Sequence, residues 1–427
     1  MKRALVVLVE LHLFRDVLLL DEHLAPERVG FAQLCGRRDG NDPDRIRARH
    51  DALTSAVATN GQIAPMRGGL SAFGRDVLTS HRRPRRSAQR RAPCIQKNQM
   101  PRLQETIFAP ELDGGQWLQH GPIRLGDLRG KSVVLIDFWD YTCVNCIRTL
   151  PYVVGWHRRY SQHGLTIIGV HAPEFSFARE GSHVAASIPD FGLEYPVVLD
   201  NDYAIWRAYS NRYWPAKYLI DGRGRIRYYH FGEGGYSETE LEIQAQLREL
   251  NPALGLPPPM EPVRDTDQPG AVCYRVTPEL YLGHARGQFG NPDGIAGDRA
   301  HDYTDPGRHM EGLAYLSGRW RVEQESARAE SAGAAISLRY TAKDVNLVAA
   351  PLAGATSRIE VVLEPGQRPG ADLQTSNGRA FATVDRPRMY SLVSNDTVKS
   401  GSLDLRAEQP GVCAYAFTFI SCTVAQQ

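Results

Sequence analysis

Val133-Val134-Leu135-Ile136-Asp137-Phe138-Trp139 is almost entirely apolar and leads through a short connection into Cys143-Val144-Asn145-Cys146. A run that is apolar on both faces is typical of a strand buried inside a sheet. The residues from Ile147 to His163 then place apolar side chains at helical spacing. The sequence therefore predicts a buried strand, a tight loop and a helix with Cys143 at its N-terminus.

The two cysteines are spaced for redox chemistry at the start of that helix. The first N–H groups of a helix lack intrahelical partners and carry partial positive charge, so we expect them to stabilise a thiolate at Cys143 and lower its pKa. Cys146 lies one turn further in, where it would be shielded and would attack the mixed disulfide formed by Cys143. The spacing therefore predicts a dithiol that exchanges disulfides.

A Cys-x-x-Cys pair has other uses as well, and the sequence leaves three of them open. Half of a zinc site would need two further ligands, but no second Cys-x-x-Cys exists and His157, His163 and His171 form no paired motif. Soft thiolates also suit Cu(I), which makes a non-catalytic copper-binding or partner-binding module an alternative. The third alternative is a pair of buried structural cysteines.

Residues 105–250 resemble the thioredoxin fold in its TlpA/redoxin branch, and they are especially similar to the thioredoxin-like region of DipZ-type proteins. The alternation of short apolar runs with helical patterns is typical of an α/β domain. The matching motifs are Phe138-Trp139 before Cys143-x-x-Cys146, Asp137 six positions before Cys143, Pro151 five positions after Cys146, and Trp214-Pro215 before Ala216–Gly222. The resemblance implies a thiol–disulfide oxidoreductase that needs no cofactor.

The resemblance also implies site residues around the cysteines. A carboxylate buried beside the pair would have a raised pKa and would accept the proton of the second thiol, which is the role implied for Asp137; a solvated strand-end acid is the alternative. A cis bond before Pro215 would leave an adjacent backbone edge free for a substrate chain; an ordinary turn proline is the alternative. The residues expected to line a substrate groove are Trp139, Thr142, Trp214 and Glu174.

The sequence departs from the family around the first cysteine. Thr142 stands where a Trp is usual, and Val144-Asn145 stands where Gly-Pro is usual. Because the intervening pair tunes the redox potential, the direction of exchange stays open. A thioredoxin-like peroxidase of the AhpC/TSA type is a further alternative, but such enzymes carry a Thr three residues before the nucleophilic cysteine, and Asp140 takes that position here.

The C-terminal part predicts a different architecture. Residues 251–270 are dense in proline, which predicts an extended linker. Residues 271–427 alternate polar and apolar positions between short turns, which predicts an all-β sandwich or jelly roll. Thr277–Gly283 and Leu316–Trp320 resemble the carbohydrate-module-like jelly roll attached to DipZ-type thioredoxin domains. That resemblance implies a glycan as a ligand of the β domain.

Aromatic residues and cysteines in this β domain carry two further expectations. Trp320 and Tyr315 would stack on sugar rings or belong to the core, and the core is the commoner place for aromatics at strand spacing. Cys413 and Cys422 lie nine residues apart in one apparent strand. At about 3.3 Å per residue they are too distant to bridge each other. Either of them could instead pair with Cys273.

Residues 1–104 form a basic N-terminal extension in which apolar residues do not recur at a regular helical or strand spacing. The first 100 residues hold 18 Lys and Arg against 10 Asp and Glu. Because the chain uses Arg more often than Lys throughout, we interpret this excess as a solvated segment of low order rather than a nucleic-acid arm. Met100 could be the start of the working protein, which would leave residues 1–99 outside it.

Compartment and partners follow from the resemblance more than from composition. No apolar run approaches the roughly 20 residues that a membrane-spanning helix needs, and the N-terminus is a poor match to a secretory signal. The resemblance implies the cell envelope or periplasm, whereas the sequence leaves a cytoplasmic location open. The expected partners are a disulfide-containing protein substrate and an electron-donating dithiol protein, with no nucleic acid.

Overall fold

We describe the protein from a computed structural model that covers residues 107–269, 271–352 and 355–423. The basic extension predicted for residues 1–104 lies outside the described residues. The helices are α1 Val144–Tyr160, α2 Gly181–Asp190, α3 Ala204–Ala208 and α4 Tyr236–Leu250. No helix within the described ranges is both long and apolar enough to cross a bilayer.

The strands fall into two groups along the chain. The first group is β1 Gln116–Gln119, β2 Val133–Trp139, β3 Leu165–His171, β4 Val197–Leu199, β5 Ala216–Ile220 and β6 Ile226–Phe231. The second group is β7 Val272–Cys273, β8 Leu280–Tyr281, β9 Ala300–Tyr303, β10 Ala314–Val322, β11 Ala327–Ala329, β12 Ala335–Pro351, β13 Ser357–Val362, β14 Leu373–Ser376, β15 Arg379–Val384, β16 Arg388–Ala407, β17 Val412–Ile420 and β18 Cys422–Thr423. All four helices are interspersed with the first group.

The first group forms one sheet in the order β1-β4-β3-β2-β5-β6, with β2 parallel to β3 and antiparallel to β5. All residues of β2 are buried, which explains its apolar sequence. Val133 and Leu135 face a core that includes α1 and α4 residues, whereas Ile136 and Phe138 face a second core with Ile205 of α3. Helices on both sides of this sheet make the thioredoxin fold that the sequence predicts.

Helix α1 confirms the predicted strand–loop–helix unit. It begins directly after Cys143, which serves as the N-cap, and it continues into a 3-10 turn at Ser161–His163. Gly164 then ends the element with a φ of 95°, a left-handed conformation that favours glycine. The position of Cys143 at the N-terminus of this helix is therefore as predicted, and Val144 and Cys146 of its first turn are buried.

The proline-rich segment predicted as an extended linker is described for residues 251–269, which lie docked on the thioredoxin-like half as a strap. Gln244 of α4 donates a hydrogen bond to the carbonyl of Pro257 at 2.8 Å. The backbone N–H of Met260 donates to the Glu240 carboxylate at 2.9 Å. Since side chains of α4 satisfy the backbone of the strap, the segment lies along the thioredoxin-like half and leads from it to β7.

The second group of strands confirms the all-β prediction for the C-terminal part. β8 to β17 join in one hydrogen-bonded network, in which the long strand β12 pairs with β10, β16 and β17. Register shifts near Ala342 and Val345 interrupt the pairing of β12 with β16. Apolar side chains from most of these strands enclose a single core. The jelly-roll order of the strands stays a prediction.

One of the two disulfides considered from sequence is present. Cys273 and Cys422 are bonded between β7 and β18, across 149 residues of sequence. Cys413 is a free, buried thiol on β17, opposite Arg328 of β11. The disulfide therefore ties the end of the strap to the end of β17.

The aromatic residues considered as sugar-stacking platforms lie in the β core. Trp320 is 2% exposed and Tyr315 is 3% exposed. The Trp320 indole donates a hydrogen bond to the carbonyl of Ser317 at 2.9 Å, and the Tyr315 hydroxyl accepts one from the backbone of Met310 at 2.9 Å. The core assignment is confirmed, and neither ring has a face free for a sugar.

The two halves pack against each other through an aromatic cluster beside the loop that follows β3. Phe175 is 2% exposed and contributes to a core cluster with Val348 and Ala416 of the β half. The ring of Tyr415 lies edge-on to Phe175 and Phe177, at 5.3 Å and 4.6 Å between centroids. Both halves belong to one compact unit, so the β half is a fixed neighbour of this loop.

Candidate active site

The two cysteines lie where the sequence predicts, at the first turn of α1. Cys143 is half-buried at the N-cap, and Cys146 is 1% exposed. The backbone N–H of Cys146 donates to the Cys143 sulfur at 3.3 Å, and both thiols are free. The outer sulfur can therefore meet a substrate, while the inner sulfur is shielded within the same turn.

The expected lowering of the Cys143 pKa is wrong for this structure. Burial raises the pKa of the Cys143 thiol, and the nearby carboxylates of Glu174 and Asp140 raise it further. Hydrogen bonds from the thiol and backbone of Cys146 oppose this rise without cancelling it. Burial also raises the pKa of Cys146 well above its usual value. The helix N-terminus therefore faces an acidic, partly enclosed site, which the cysteine spacing alone does not reveal.

Asp137 is the buried acid that the sequence predicts. It is fully buried in β2, and burial raises the pKa of its carboxyl to about 7, although Lys217 lowers it. Lys217 is the directly opposite residue on β5 and is also fully buried. The positive charge of Lys217 interacts with both Asp137 and Cys146, so the three groups are neighbours.

A second buried acid supports the loop that carries Cys143. The Asp140 carboxylate accepts hydrogen bonds from the backbone and hydroxyl of Thr142, at 2.7 and 2.5 Å, and from the backbone of Glu174 at 2.9 Å. His171 lies 3.6 Å from Asp140, but burial lowers the His171 pKa to about 3, which leaves the ring neutral near pH 7. Asp140 therefore ties the cysteine loop to the loop after β3.

The proline expected to be cis is cis. The Trp214–Pro215 bond has this conformation, and the carbonyl of Pro215 accepts a hydrogen bond from Gly232 at 2.8 Å. The Trp214 indole donates to the carbonyl of Ala172 at 2.9 Å and its ring lies 4.3 Å from that of Trp206. The bond from Trp214 holds the Pro215 loop against the segment after β3, and the bond from Gly232 holds it against the end of β6.

Comparisons with known proteins agree with this geometry. A model of the AhpC/TSA family matches residues 107–229, and a model of a thioredoxin-like C-terminal domain matches residues 277–419. The thiol–disulfide oxidoreductase ResA of Bacillus thuringiensis (strain Al Hakam) is 30% identical over 135 residues, which cover 32% of this chain and 72% of ResA. This chain belongs to the thiol–disulfide oxidoreductases. The thiol–disulfide oxidoreductase YkuV of Bacillus subtilis (strain 168) is 28% identical, across 33% of this chain and 94% of YkuV.

A longer relative of this oxidoreductase covers both halves of the chain. Protein DipZ of Mycobacterium tuberculosis (strain CDC 1551 / Oshkosh) is 39% identical over 325 residues, or 74% of this chain. The aligned region spans only 43% of the length of DipZ. The similarity therefore extends beyond the thioredoxin-like half into the β half.

The four residues expected to line a substrate groove of the oxidoreductase do not all reach its surface. Trp139 and Thr142 are 0% and 1% exposed, because β2 is central in the sheet and Thr142 turns inward to Asp140. The structure therefore corrects their placement in the groove wall. Trp214 is half-buried, and the Glu174 side chain is 10% exposed beside the β half.

The cavity next to the cysteine turn has walls from both halves of the oxidoreductase. Its volume is about 370 Å³. Tyr141 and Ile147, which flank the cysteines, form one wall, and α2 forms another. The lining residues are Tyr141, Ile147, His183, Ala186, Ser187, Asp190, Phe191, Arg386, Pro387, Arg388 and Met389. The sequence did not predict this cavity, because the β15–β16 turn is remote from the cysteines along the chain.

Further residues at the site were missed from sequence. Lys217 could have been identified from the sequence, because a lysine between apolar residues of a buried strand needs a charged or polar partner. No sequence pattern places Glu279, Tyr281 or Arg286 at the site. The hydrogen bond from Tyr281 to Glu174 spans 107 residues of sequence, and only the packing of the two halves brings the pair together.

Proposed function

We propose that this oxidoreductase reduces disulfides in polypeptide substrates. The observation that carries the proposal is the half-buried Cys143 sulfur at the N-cap of α1, next to the buried Cys146 thiol. Burial raises the pKa of both thiols. Members of this family that oxidise strongly are those that stabilise the reduced form, so a poorly stabilised thiolate favours electron donation.

Reduction would proceed through two exchange steps. The Cys143 thiolate attacks one sulfur of the substrate disulfide, which forms a mixed disulfide and releases the other sulfur as a thiolate that takes up a proton. Asp137 accepts the proton of Cys146, directly or through a water molecule, and the Cys146 thiolate attacks the Cys143 sulfur. The substrate leaves fully reduced, and the protein holds a Cys143–Cys146 disulfide. An electron-donating dithiol protein would then restore the dithiol.

We propose that a substrate segment next to the target disulfide occupies the cavity beside Tyr141 and Ile147. Aromatic and aliphatic side chains, including Phe191 and Met389, line it, so it suits apolar side chains of a polypeptide. Arg386 and Asp190 at its edge already pair with each other at 2.8 Å. The β half would then act as part of the substrate site, which is a protein-binding role rather than the glycan-binding role expected from the resemblance.

We also propose that the protein works outside the cytoplasm. The Cys273–Cys422 disulfide joins two ends of the β half. Structural disulfides persist in oxidising compartments and are rare in the cytosol of most organisms. This agrees with the envelope location that the sequence resemblance implies.

Cysteine variants test the redox proposal directly. Cys143→Ser should lose disulfide reduction, because it has no outer nucleophile, whereas Cys146→Ser should accumulate mixed disulfides that cannot be resolved. The measurement is insulin reduction, together with mass spectrometry of trapped adducts under non-reducing conditions. Cys413→Ser is the matched control, since this free thiol lies in the β half. Retention of parental activity by Cys143→Ser would end the proposal.

A further inference from the structure

One phenol joins two carboxyl groups that come from different halves of the protein. The Tyr281 hydroxyl lies 2.8 Å from the Glu174 carboxylate and 2.8 Å from the Glu279 carboxylate. A tyrosine hydroxyl has one hydrogen to donate. If both carboxyls were ionised, one of them would face the phenol oxygen without a hydrogen between them. The geometry therefore calls for one additional proton, carried by Glu174 or Glu279.

The surroundings of the pair favour retention of that proton. The Glu174 side chain is 10% exposed, and burial followed by the charge of Asp140 raises the pKa of its carboxyl. Residue Glu279 as a whole is exposed, but its carboxyl group packs against Tyr281. Burial of that group and the neighbouring Glu174 raise the pKa of Glu279 to about 7. The pair can thus change its charge near neutral pH.

Groups from four other segments face this carboxyl pair. Arg286 donates to Glu174 at 3.3 Å and lies 3.7 Å above the Tyr281 ring. Asp140 in the loop after β2 and Tyr203 before α3 lie near Glu174, and Glu325 between β10 and β11 accepts a hydrogen bond from the backbone of Ser176 next to this site. The Arg286 guanidinium thus lies near several acids, and the Arg286 side chain is 44% exposed. Arg286 therefore cannot neutralise two ionised carboxylates, which leaves the shared proton as the second compensating charge.

The pair lies within electrostatic reach of the reacting sulfur. The charge of Glu174 is one of the causes that raise the pKa of Cys143. A proton held between Glu174 and Glu279 reduces the negative charge that the Cys143 thiolate meets. We propose that Glu279 and Tyr281 of the β half are positioning residues that share one proton with Glu174, so that the total charge of the carboxyl pair sets the reactivity of Cys143. This proposal rests on the proposed role of Cys143 as the attacking thiol.

The charge on the Glu174–Glu279 pair determines whether removal of Glu279 speeds or slows the reaction of Cys143. Below about pH 7 the pair holds its proton and carries one negative charge. Above that pH it carries two, and the added charge disfavours the Cys143 thiolate. Glu279→Gln removes one of the two carboxyl groups, so the variant cannot acquire the second negative charge above that pH. The variant and the parent should therefore react alike at pH 6 and differ at pH 9.

Alkylation of Cys143 measures this difference without any substrate protein. Iodoacetamide is added to the reduced full-length chain between pH 6 and 10, and modification of the Cys143 peptide is followed by mass spectrometry. Glu279→Gln should react about threefold faster than the parent at pH 9, as a shift of roughly half a pKa unit gives. At pH 6 the two rates should agree. A constant ratio across the pH range, or no difference at pH 9, would overturn the proposal.

Controls separate the pair from other acids and from simple unfolding. Asp137 also titrates at about pH 7, so the assignment rests on the ratio of variant to parent rather than on the parent profile alone. Glu364→Gln removes an exposed acid of the β half and should leave the ratio at one. If Glu279→Gln melts early, isotope-edited infrared spectroscopy of the parent decides instead. A protonated glutamic acid band that is present at pH 6 and lost by pH 9 is expected, and its absence at pH 6 would refute the shared proton.

This test is independent of the proposed reduction of substrates. Alkylation reports the reactivity of Cys143 whether or not the protein reduces disulfides. Retention of parental insulin reduction by Cys143→Ser would remove the proposed function while leaving the threefold difference in alkylation measurable. Failure of the alkylation ratio would remove the role of Glu279 and Tyr281 while leaving disulfide reduction intact.

Discussion

The central strands of the two halves differ in what they bury. In the thioredoxin-like half, β2 and β5 bury Asp137 and Lys217, and neither oxygen of Asp137 has a hydrogen-bond partner among the described residues. In the β half, β12 buries Asn346, whose amide donates to the hydroxyl of Thr418 at 3.3 Å. The redox half thus buries two charged groups at its centre, whereas β12 buries no charged side chain, although its buried Tyr340 hydroxyl also has no hydrogen-bond partner among the described residues.

This difference shows where function overrides the rules of packing. Buried groups without partners destabilise a fold unless the site needs them. Asp137 and Lys217 lie next to the inner cysteine, where a proton acceptor is required. Among the described residues, the central strand β12 of the β half buries no charged side chain, and the β half offers the redox half a well-packed neighbour. We therefore expect perturbations at the junction to affect stability and perturbations at Asp137 to affect chemistry.

The largest effect is expected where the two halves join. Phe175→Ala removes an aromatic side chain that is 2% exposed in the cluster between them. Deleting a buried phenylalanine ring typically costs about 3–5 kcal/mol of the free energy of unfolding, through lost burial and the cavity left behind. Chemical denaturation followed by tryptophan fluorescence measures this loss.

A matched variant shows whether that loss reflects the junction. Phe108 is 52% exposed, and Phe108→Ala should change the free energy of unfolding by less than about 1 kcal/mol. Equal losses in the two variants would mean that the junction does not hold the halves together. The comparison between a functional half and a supporting half would then lose its structural basis.

A smaller effect is expected at Asp137, and it should fall on rate rather than on folding. Asp137→Asn removes the proton acceptor for Cys146 and should slow resolution of the mixed disulfide by roughly 10²-fold, the lower end of the range for a general base. Because the pKa of Asp137 is about 7, resolution by the parent should speed up as pH rises through this value. Stopped-flow measurement of release from a mixed disulfide with a chromophoric thiol reports the step.

The Asp137 carboxyl should also affect the stability of the fold. Stability should fall as pH rises, whereas the rate of mixed-disulfide resolution should increase. In the unfolded chain Asp137 would titrate near its ordinary value of 3.8, whereas in the fold its pKa is raised to about 7. The folded state therefore holds a proton that the unfolded state releases, and this contribution is lost as pH rises between these two values. Asp137→Asn should flatten that decline, whereas Asp127→Asn, at an exposed position, should preserve it.

The sequence was sufficient for the parts of this protein that depend on short stretches of chain. Strand β2 and the start of α1 follow from one continuous segment, whereas the buried position of Asp137 was implied by the family resemblance. The β architecture of the C-terminal part follows from a period of two. In each case neighbouring residues determine the outcome, so local periodicity carries enough information.

The parts that could not be predicted depend on contacts between distant segments. The pKa of Cys143 rises partly because Glu174 and Asp140 face it, and no spacing rule places Glu174 there. The strap docks because α4 offers side chains to its backbone, and its proline-rich composition predicts only an extended linker. Glu279 reaches the redox site only through the packing of the β half.

The smallest effect is expected from the ion pair across the cavity, and it tests how far electrostatics contributes to the junction. Arg386 of the β half lies 2.8 Å from Asp190 of α2, but their side chains are 46% and 45% exposed. Solvent screens such pairs, so Arg386→Ala should change the free energy of unfolding by less than about 1 kcal/mol. A loss similar to that of Phe175→Ala would show that charge, rather than aromatic packing, holds the halves together. If the loss is small but insulin reduction weakens, the Arg386 side chain belongs to the substrate site, and the supporting half shares directly in function.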